Sequence, residues 1–479
     1  MLRLILAVAA VCTLSMAACS GEHAGHGTPA VRKVPFREAG LSLPRAVDLN
    51  PDPTVVEVRL EARPSQVALL EGTQTPAWTY DGHLPGPLIE ARVGDRLIVH
   101  FTNALPEPTT IHWHGVRVPA EMDGTTRMQQ PIAPGGTFRY EFTLLDAGLY
   151  WYHPHHRSHE QVEKGLYGVL LVRGEDAVDA PERVLVLDDV LVGDDGQPLA
   201  PTDGDEMMGR EGNLVLVNGR AAPAVTVAPG SWERWRVVNA SNARYYALAL
   251  PGHALVQIGS DGGWLTAPER RDTILLTPGE RLDLLVHFDR APGTTARLTS
   301  RAHTRGHAVT IPEVELLEVR YGDGPAQQSP SPVPARLAQI TPLAPGPAVR
   351  RFVLSEEDAS GEHAGHGGGS GRTVFRINGE AFPNITPVRV ALGDVETWEL
   401  VNDSGMDHPF HLHGYFFQPL TVAGAAQPLQ WKDTVNLPPR STTRVAVAYT
   451  DYAGSFMYHC HILEHAEHGM MGELEVTAR

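Results

Sequence analysis

The chain has 479 residues, enough for about three domains of ordinary size. Its 47 glycines and 39 prolines favour many turns and short strands over long helices. A formal net charge of −17 repels phosphate and argues against nucleic acid as a partner, and three cysteines are too few for a disulfide framework.

The first twenty residues, "MLRLILAVAAVCTLSMAACS", carry one positive charge at Arg3, an apolar centre and small residues before Cys19. This pattern predicts an export signal over residues 1–19, too short to span a bilayer. The "MAAC" ending resembles a bacterial lipoprotein processing site, with Met16 where leucine is usual. Cys19 is therefore expected to carry a lipid anchor, placing the protein in the periplasm or cell envelope. Cys12 leaves with the signal, so Cys460 is the only thiol of the protein's body. Residues 20–49 read as a flexible tether and lead-in. They include "SGEHAGHG" at 20–27, which recurs identically at 360–367.

Beyond residue 50 the chain repeats itself three times. "VGDRLIVHFTN" (93–103), "APGSWERWRVVN" (228–239) and "ALGDVETWELVN" (391–402) each place a turn glycine nine residues before an asparagine, with an alternating strand between. A second repeat follows each: "IAPGGTFRYEF", "LTPGERLDLLV" and "LPPRSTTRVAV". Period-two alternation bounded by Gly and Pro reads as half-buried antiparallel strands. Three all-β sandwiches follow, over 50–175, 180–325 and 346–479, with a Pro-rich linker over 326–345.

The outer copies match further. "IHWHG" (111–115) stands against "FHLHG" (410–414), and "AGLYWYHPH" (147–155) against "AGSFMYHCH" (453–461). The middle copy has only "RAHTRGHAV", without that spacing, so it is expected to shape or hold rather than to bind metal. Residues two apart on a strand share a face. Each His-x-His therefore sets two imidazoles side by side: His112/His114, His153/His155, His411/His413 and His459/His461. Eight imidazoles converge if the outer sandwiches abut, and imidazole suits copper, iron or zinc.

Parity separates a second set. The sulfur of Cys460 points away from His459 and His461, and His408, three residues from His411, also points away from its pair. They meet on the far side, where His465 and Met470 arrive from the following loop. Two His, one Cys and a long axial Met are the donors of a blue-copper electron-transfer centre. The first copy has Thr109, Pro154 and Leu166 in place of His408, Cys460 and Met470, so it has no such centre. The backbone on either side of Cys460 then links two metal sites covalently.

With these motifs the chain resembles the three-domain multicopper oxidases, including bacterial laccases and cuprous oxidases, over nearly its whole length. The resemblance implies three cupredoxin-like Greek-key β-sandwich domains and four copper ions. Type 1 copper would take His408, Cys460, His465 and axial Met470. Type 2 would take His112 and His411, and the type 3 pair His114, His153, His155, His413, His459 and His461. Donors would give single electrons at type 1, and O₂ would be reduced to water at the three-copper cluster. Asp123, in "PAEMDG", matches the family's acidic proton donor, whereas Ala466 stands where relatives often have a second acid. Glu464 and Glu467 are candidate substitutes.

The donor is less legible. Cuprous oxidases of the family resemble this chain in carrying an insert near type 1 copper, but theirs is methionine-rich. Here the insert has His363 and His366, preceded by Glu356, Glu357 and Asp358, and no methionine. Histidine and carboxylate suit Cu(II) better than Cu(I). "DEMMG" (205–209) reads as packing rather than ligands, and His156, His159 and His468 as flanking residues. The expectation is a laccase-like oxidase of phenols or aromatic amines, with cuprous-ion oxidation as the alternative. Copper nitrite reductase and copper storage are weaker readings, because neither needs four His-x-His pairs wired to one cysteine.

Overall fold

The computed structural model describes residues 29–479, apart from 176–177, 308–309, 328, 330, 345 and 359–372. The signal, Cys19 and both SGEHAGHG segments, with His363 and His366, lie outside the described residues. The rest is three β-sandwiches, the all-β architecture the alternation predicts. Four- and four-stranded sheets form the first, seven- and six-stranded sheets the second, and six- and five-stranded sheets the third.

The two sequence repeats become neighbours in each sandwich. The first-repeat strands Arg96–Asn103, Ser231–Asn239 and Val395–Asn402 pair antiparallel with the second-repeat strands Thr137–Thr143, Arg281–Phe288 and Ser441–Ala448. On its other side each first-repeat strand pairs parallel with the opening strand of its sandwich: Val55–Val67, Glu182–Val190 or Val349–Asp358. A parallel partner followed by an antiparallel one requires crossovers between the sheets, which is Greek-key connectivity. The repeated asparagine has a local cause. Asn103, Asn239 and Asn402 each donate from the side-chain amide to a carbonyl in the following loop and to one further along the chain, and accept an amide N–H two residues on, satisfying a buried chain reversal.

Each sandwich closes on its own apolar core, built around Trp113, Trp235 and Trp398, all fully buried. The lead-in, expected as a tether, is docked from Arg32 onward. The Arg32 amide donates to Asn213 O at 2.7 Å, and strand Arg37–Glu38 adds in parallel to Pro223–Val227 of the second sandwich. Three short α-helices occur among the described residues, one per sandwich: Ser158–Glu163, Asp203–Met208 and Leu463–Glu467. They meet at one junction beside Cys460. No described helix is long and apolar enough to cross a membrane.

Candidate metal centres

Strand pairing brings the histidine motifs together. In the first sandwich His112 sits opposite His153, and in the third His411 sits opposite His459. Between them Trp113 and Tyr152 turn into the first core, and Phe410, Leu412, Tyr458 and Cys460 into the third. All eight imidazoles occupy the gap between the outer sandwiches. His112 stacks on His413 and His114 on His411, both at 3.8 Å between ring centres. His459 Nε2 lies 3.4 Å from His155 Nε2 and 3.0 Å from His413 Nε2. His461 is 4.9 Å from His114 and 5.8 Å from His153, centre to centre.

The outer ring nitrogens are tied back. Nδ1–H groups of His112, His153, His411 and His459 donate to the carbonyls of Asp123, Pro154, Asp433 and Cys460 at 2.8–3.0 Å. That fixes the tautomer and turns each Nε2 lone pair inward. Nε2 of His112, His153 and His411, both nitrogens of His461 and Nδ1 of His114 have no hydrogen-bond partner although buried. Clustered, buried acceptors facing one another are costly unless something electron-poor lies among them. Burial first, and then mutual repulsion, pushes His153, His155, His413, His459 and His461 well below the ordinary histidine range; His114 is pushed down similarly. These six imidazoles are therefore neutral donors, and the donor set of the cluster fits copper.

On the opposite face of strand Gly454–Cys460 a second group assembles. Cys460 pairs with Phe410, so His408, two residues before, shares its face. Cys460 Sγ lies 3.4 Å from His408 Nδ1 and 3.7 Å from His465 Nδ1, and the two nitrogens are 3.3 Å apart. Met470 is buried in the same core, its amide donating to His465 O while its carbonyl accepts from Cys460 N–H. Phe375 stacks on His465 at 4.0 Å, and His465 Nε2–H donates to Met207 O at 3.0 Å. His408 Nε2 meets Ser404 Oγ at 2.8 Å and Glu356 Oε1 at 3.3 Å. Burial pushes the Cys460 thiol up, so its deprotonation depends on a bound cation.

Asp123 is fully buried, with Oδ2 accepting from His413 Nδ1 at 2.8 Å and Oδ1 3.2 Å from His112 Nδ1. Glu467 instead accepts from the Ser158 amide and hydroxyl, and Glu464 from Asn242. Sequence reasoning missed a second carboxylate, Asp433 of "WKDT", whose Oδ1 lies 3.3 Å from His114 Nε2 and 3.5 Å from His411 Nδ1. It also missed Arg281 of the middle sandwich, which donates to both Asp433 oxygens at 2.7 and 2.5 Å and to Leu149 O of the first sandwich at 3.1 Å. Gly115 of "HWHG" makes room for this pair: a Cβ there would lie 2.2 Å from Arg281 Nη2. The only sequence signals were an acid after the paired motif and the charged "GER" of the middle repeat. His159 and His468 come within 5.8 Å of each other at the helix junction.

Three sandwiches with a histidine cluster between the outer two, and a Cys-His-His group one residue away, define a metal-dependent redox protein of the cupredoxin type. Three family models described as multicopper oxidase match residues 61–177, 151–312 and 357–479. A multicopper oxidase from Campylobacter jejuni, titled a metallo-oxidase, is 31% identical, covers 93% of this chain and 96% of its own, and superposes with a TM-score of 0.82. A laccase from Pediococcus acidilactici is 30% identical over 94% and 95% of the two chains, with a TM-score of 0.80. Multicopper oxidase MmcO of Mycobacterium tuberculosis is 29% identical over 88% of this chain and 87% of that protein. The chain belongs to the multicopper oxidases and is an oxidoreductase.

Proposed function

We propose that the protein is a laccase-like oxidase that takes single electrons from phenols or aromatic amines and reduces O₂ to water. One observation carries the reading. Eight buried imidazoles, five of them with unpartnered ring nitrogens, form one cluster, and two of its members, His459 and His461, stand one residue on either side of Cys460, whose sulfur belongs to a Cys-His-His group on the opposite face.

In this reading His408, Cys460 and His465, with Met470, hold one copper. His112 and His411 hold a second, and the remaining six histidines a pair. Bound copper supplies one-electron steps between two oxidation states, so single-electron donors can feed a four-electron acceptor. The chain's own contribution is positional. Carbonyls and Asp123 lock the imidazole tautomers, and the Cys460 backbone joins the two faces over a single residue. Ser404 and Glu356 hold His408, and the Asp123 carboxylate stands where it can pass a proton to the cluster's edge. Export with a lipid anchor at Cys19 belongs to the same proposal, checked by the mass of the membrane-extracted N-terminal peptide.

A second reading, Cu(I) oxidation, is favoured by one contact. Helix Asp203–Met208 lays Met207 O on His465 and carries two methionines there, and thioether sulfur suits Cu(I). A relative named as a copper resistance protein A homolog from Pseudomonas syringae is 26% identical. The deciding experiment measures O₂ uptake by copper-loaded protein with 2,6-dimethoxyphenol and with Cu(I), and nitrite loss with either donor. Turnover with phenol supports the first reading, and turnover with Cu(I) alone the second. Copper binding without O₂ uptake from any donor would overturn both.

A further inference from the structure

The middle copy's "RAHTRGHAV", which lacks the metal-binding spacing, reaches out of its own sandwich. Strands His303–Thr304 and Thr310–Ile311 pair antiparallel, and the residues after the first strand, Arg305–His307, lie on the third sandwich. Gly306 forms a bridge with Met406. The Asp407 amide donates to Arg305 O at 2.8 Å, and the His307 amide donates to Gly405 O at 2.9 Å. These contacts fall on the three residues that precede His408. Two glycines allow the approach. A Cβ on Gly306 would lie 2.2 Å from Gly405 O, and one on Gly405 would lie 2.5 Å from His307 Cε1.

The side chains reach both imidazoles of the Cys-His-His group from behind. Nδ1 of His408 and Nδ1 of His465 face Cys460, so the remote nitrogen of each ring is Nε2. His307 Nε2–H donates to Glu356 Oε2 at 3.0 Å, and the other oxygen of that carboxylate lies 3.3 Å from His408 Nε2. The His408 N–H itself goes to Ser404 Oγ, and Glu356 Oε1 accepts no hydrogen bond, so Glu356 acts on the ring through its charge. Arg305 donates to Met208 O and, at 3.2 Å, to Ala243 O. That pins the end of helix Asp203–Met208, where Met207 O accepts from His465 Nε2 at 3.0 Å. A carboxylate or carbonyl behind the remote nitrogen fixes an imidazole's orientation and makes it a stronger donor. Both holders, His307 and Arg305, belong to the middle sandwich.

We propose that His307 and Arg305 are positioning residues for the Cys-His-His group: His307 holds the Glu356 carboxylate against His408, and Arg305 holds the Met207 carbonyl against His465. The inference rests on the reading above that this group carries a copper ion. The middle sandwich, which supplies no ligand, thereby sets how readily that ion takes up an electron. Negative charge behind His408 favours Cu(II) over Cu(I), so releasing the carboxylate raises the reduction potential.

The test is a double-substitution cycle on copper-loaded protein, read by redox titration of the visible absorption. Glu356→Gln is expected to raise the potential by about 59 mV, a tenfold shift for a one-electron couple. His307→Leu should raise it similarly, and His307→Gln, whose amide still donates, much less. Once Glu356 is replaced by Gln, His307→Leu should add nothing. An unchanged potential in His307→Leu, or the same shift with and without Glu356, would overturn the role of His307, since a merely structural part would not depend on that carboxylate. Arg305→Met is expected to alter the copper hyperfine splitting in electron paramagnetic resonance and Arg305→Lys to restore it in part; an unaltered splitting would overturn the role of Arg305. The His307 side chain is 22% exposed, so its variants decide if Arg305→Met does not fold. Unsubstituted protein without cysteine-dependent visible absorption defeats the copper reading instead. Nitrogen-15 spectra of metal-free, histidine-labelled protein then decide: His307→Leu should move the His408 ring resonances, but not in the Glu356→Gln background. Resonances that His307→Leu leaves in place would overturn the inference.

Discussion

Replacing the Cys460 sulfur by oxygen removes one soft donor and leaves the surrounding core almost untouched, because serine nearly matches cysteine in shape. Cys460→Ser is expected to abolish the visible absorption of the proposed cysteine-bound copper and donor oxidation while the eight-histidine cluster still binds copper, giving one ion fewer per chain than the unsubstituted protein. The Ile462 amide, which donates to Cys460 Sγ at 3.4 Å, remains beside the serine hydroxyl as a partner, so the metal-free variant should lose only about 1–2 kcal/mol of stability. Retained blue absorption would overturn the role given to this sulfur. Asp123→Asn tests a different property, since its amide oxygen still accepts from His413 Nδ1–H but the side chain no longer exchanges protons. A roughly 100-fold fall in kcat is expected, with anaerobic bleaching by donor at the normal rate; normal turnover would remove Asp123 from the proton path. Cys460 was legible because strand parity is a local rule that needs no tertiary information, and Asp123 only through the likeness of "PAEMDG" to the family's motif. Asp433 was not, because its meaning depends on Arg281, 152 residues away in another sandwich.

At the scale of elements, the turn between strands Ile274–Leu276 and Arg281–Phe288 shows what the sequence carried and what it withheld. "LTPGERLDLLV" was readable as the middle copy of the second repeat, and its turn-then-strand form is what the structure contains. Only three dimensions reveal that this turn walls the histidine cluster. Gly279 has φ +85°, and a Cβ there would lie 2.9 Å from His461 Cδ2 and 3.0 Å from His114 Cε1. His114 sits on strand His112–His114 and His461 directly follows strand Gly454–Cys460, both fully buried, so neither ring yields cheaply. Gly279→Ala is therefore expected to cost about 1–2 kcal/mol from the left-handed backbone. It should also displace the two imidazoles, lowering cluster copper by at least one ion per chain while the blue absorption stays. Full copper content with native O₂ uptake would show that the cluster tolerates the added methyl. The repeated asparagines illustrate the converse: the spacing was visible in sequence, but its cause, a buried reversal needing three hydrogen bonds, lies in how the loop packs.

Across the whole molecule, the middle sandwich holds no histidine pair yet joins the other two. Arg281 touches Leu149 of the first and Asp433 of the third, and Lys432 of the third reaches Asp261 and Glu280 of the second at 3.0 and 2.8 Å. Arg281→Met leaves Asp433 buried without its cation, a loss of about 3–5 kcal/mol. Arg281→Lys, which keeps the charge but not the two-pronged contact, should recover part of it. Equal stability of the methionine variant in urea would deny the bridge its role. The cluster itself makes the joined molecule acid-sensitive. In metal-free protein His114, His153, His155, His413, His459 and His461 are pushed well below their ordinary value by burial, so the native state holds them neutral. The unfolded chain protonates the same rings near pH 6.5, and below that point it binds more protons than the native state. Stability is thus fully present above about pH 6.5 and declines as pH falls, by up to about 1.4 kcal/mol per pH unit for each such ring. The urea midpoint of metal-free protein should fall steeply between pH 7 and pH 5. A His155→Leu/His459→Leu variant should show a shallower slope, because two of the rings no longer titrate. A midpoint independent of pH, or a slope the double substitution leaves unchanged, would mean that the imidazoles do not face one another in a dry interface.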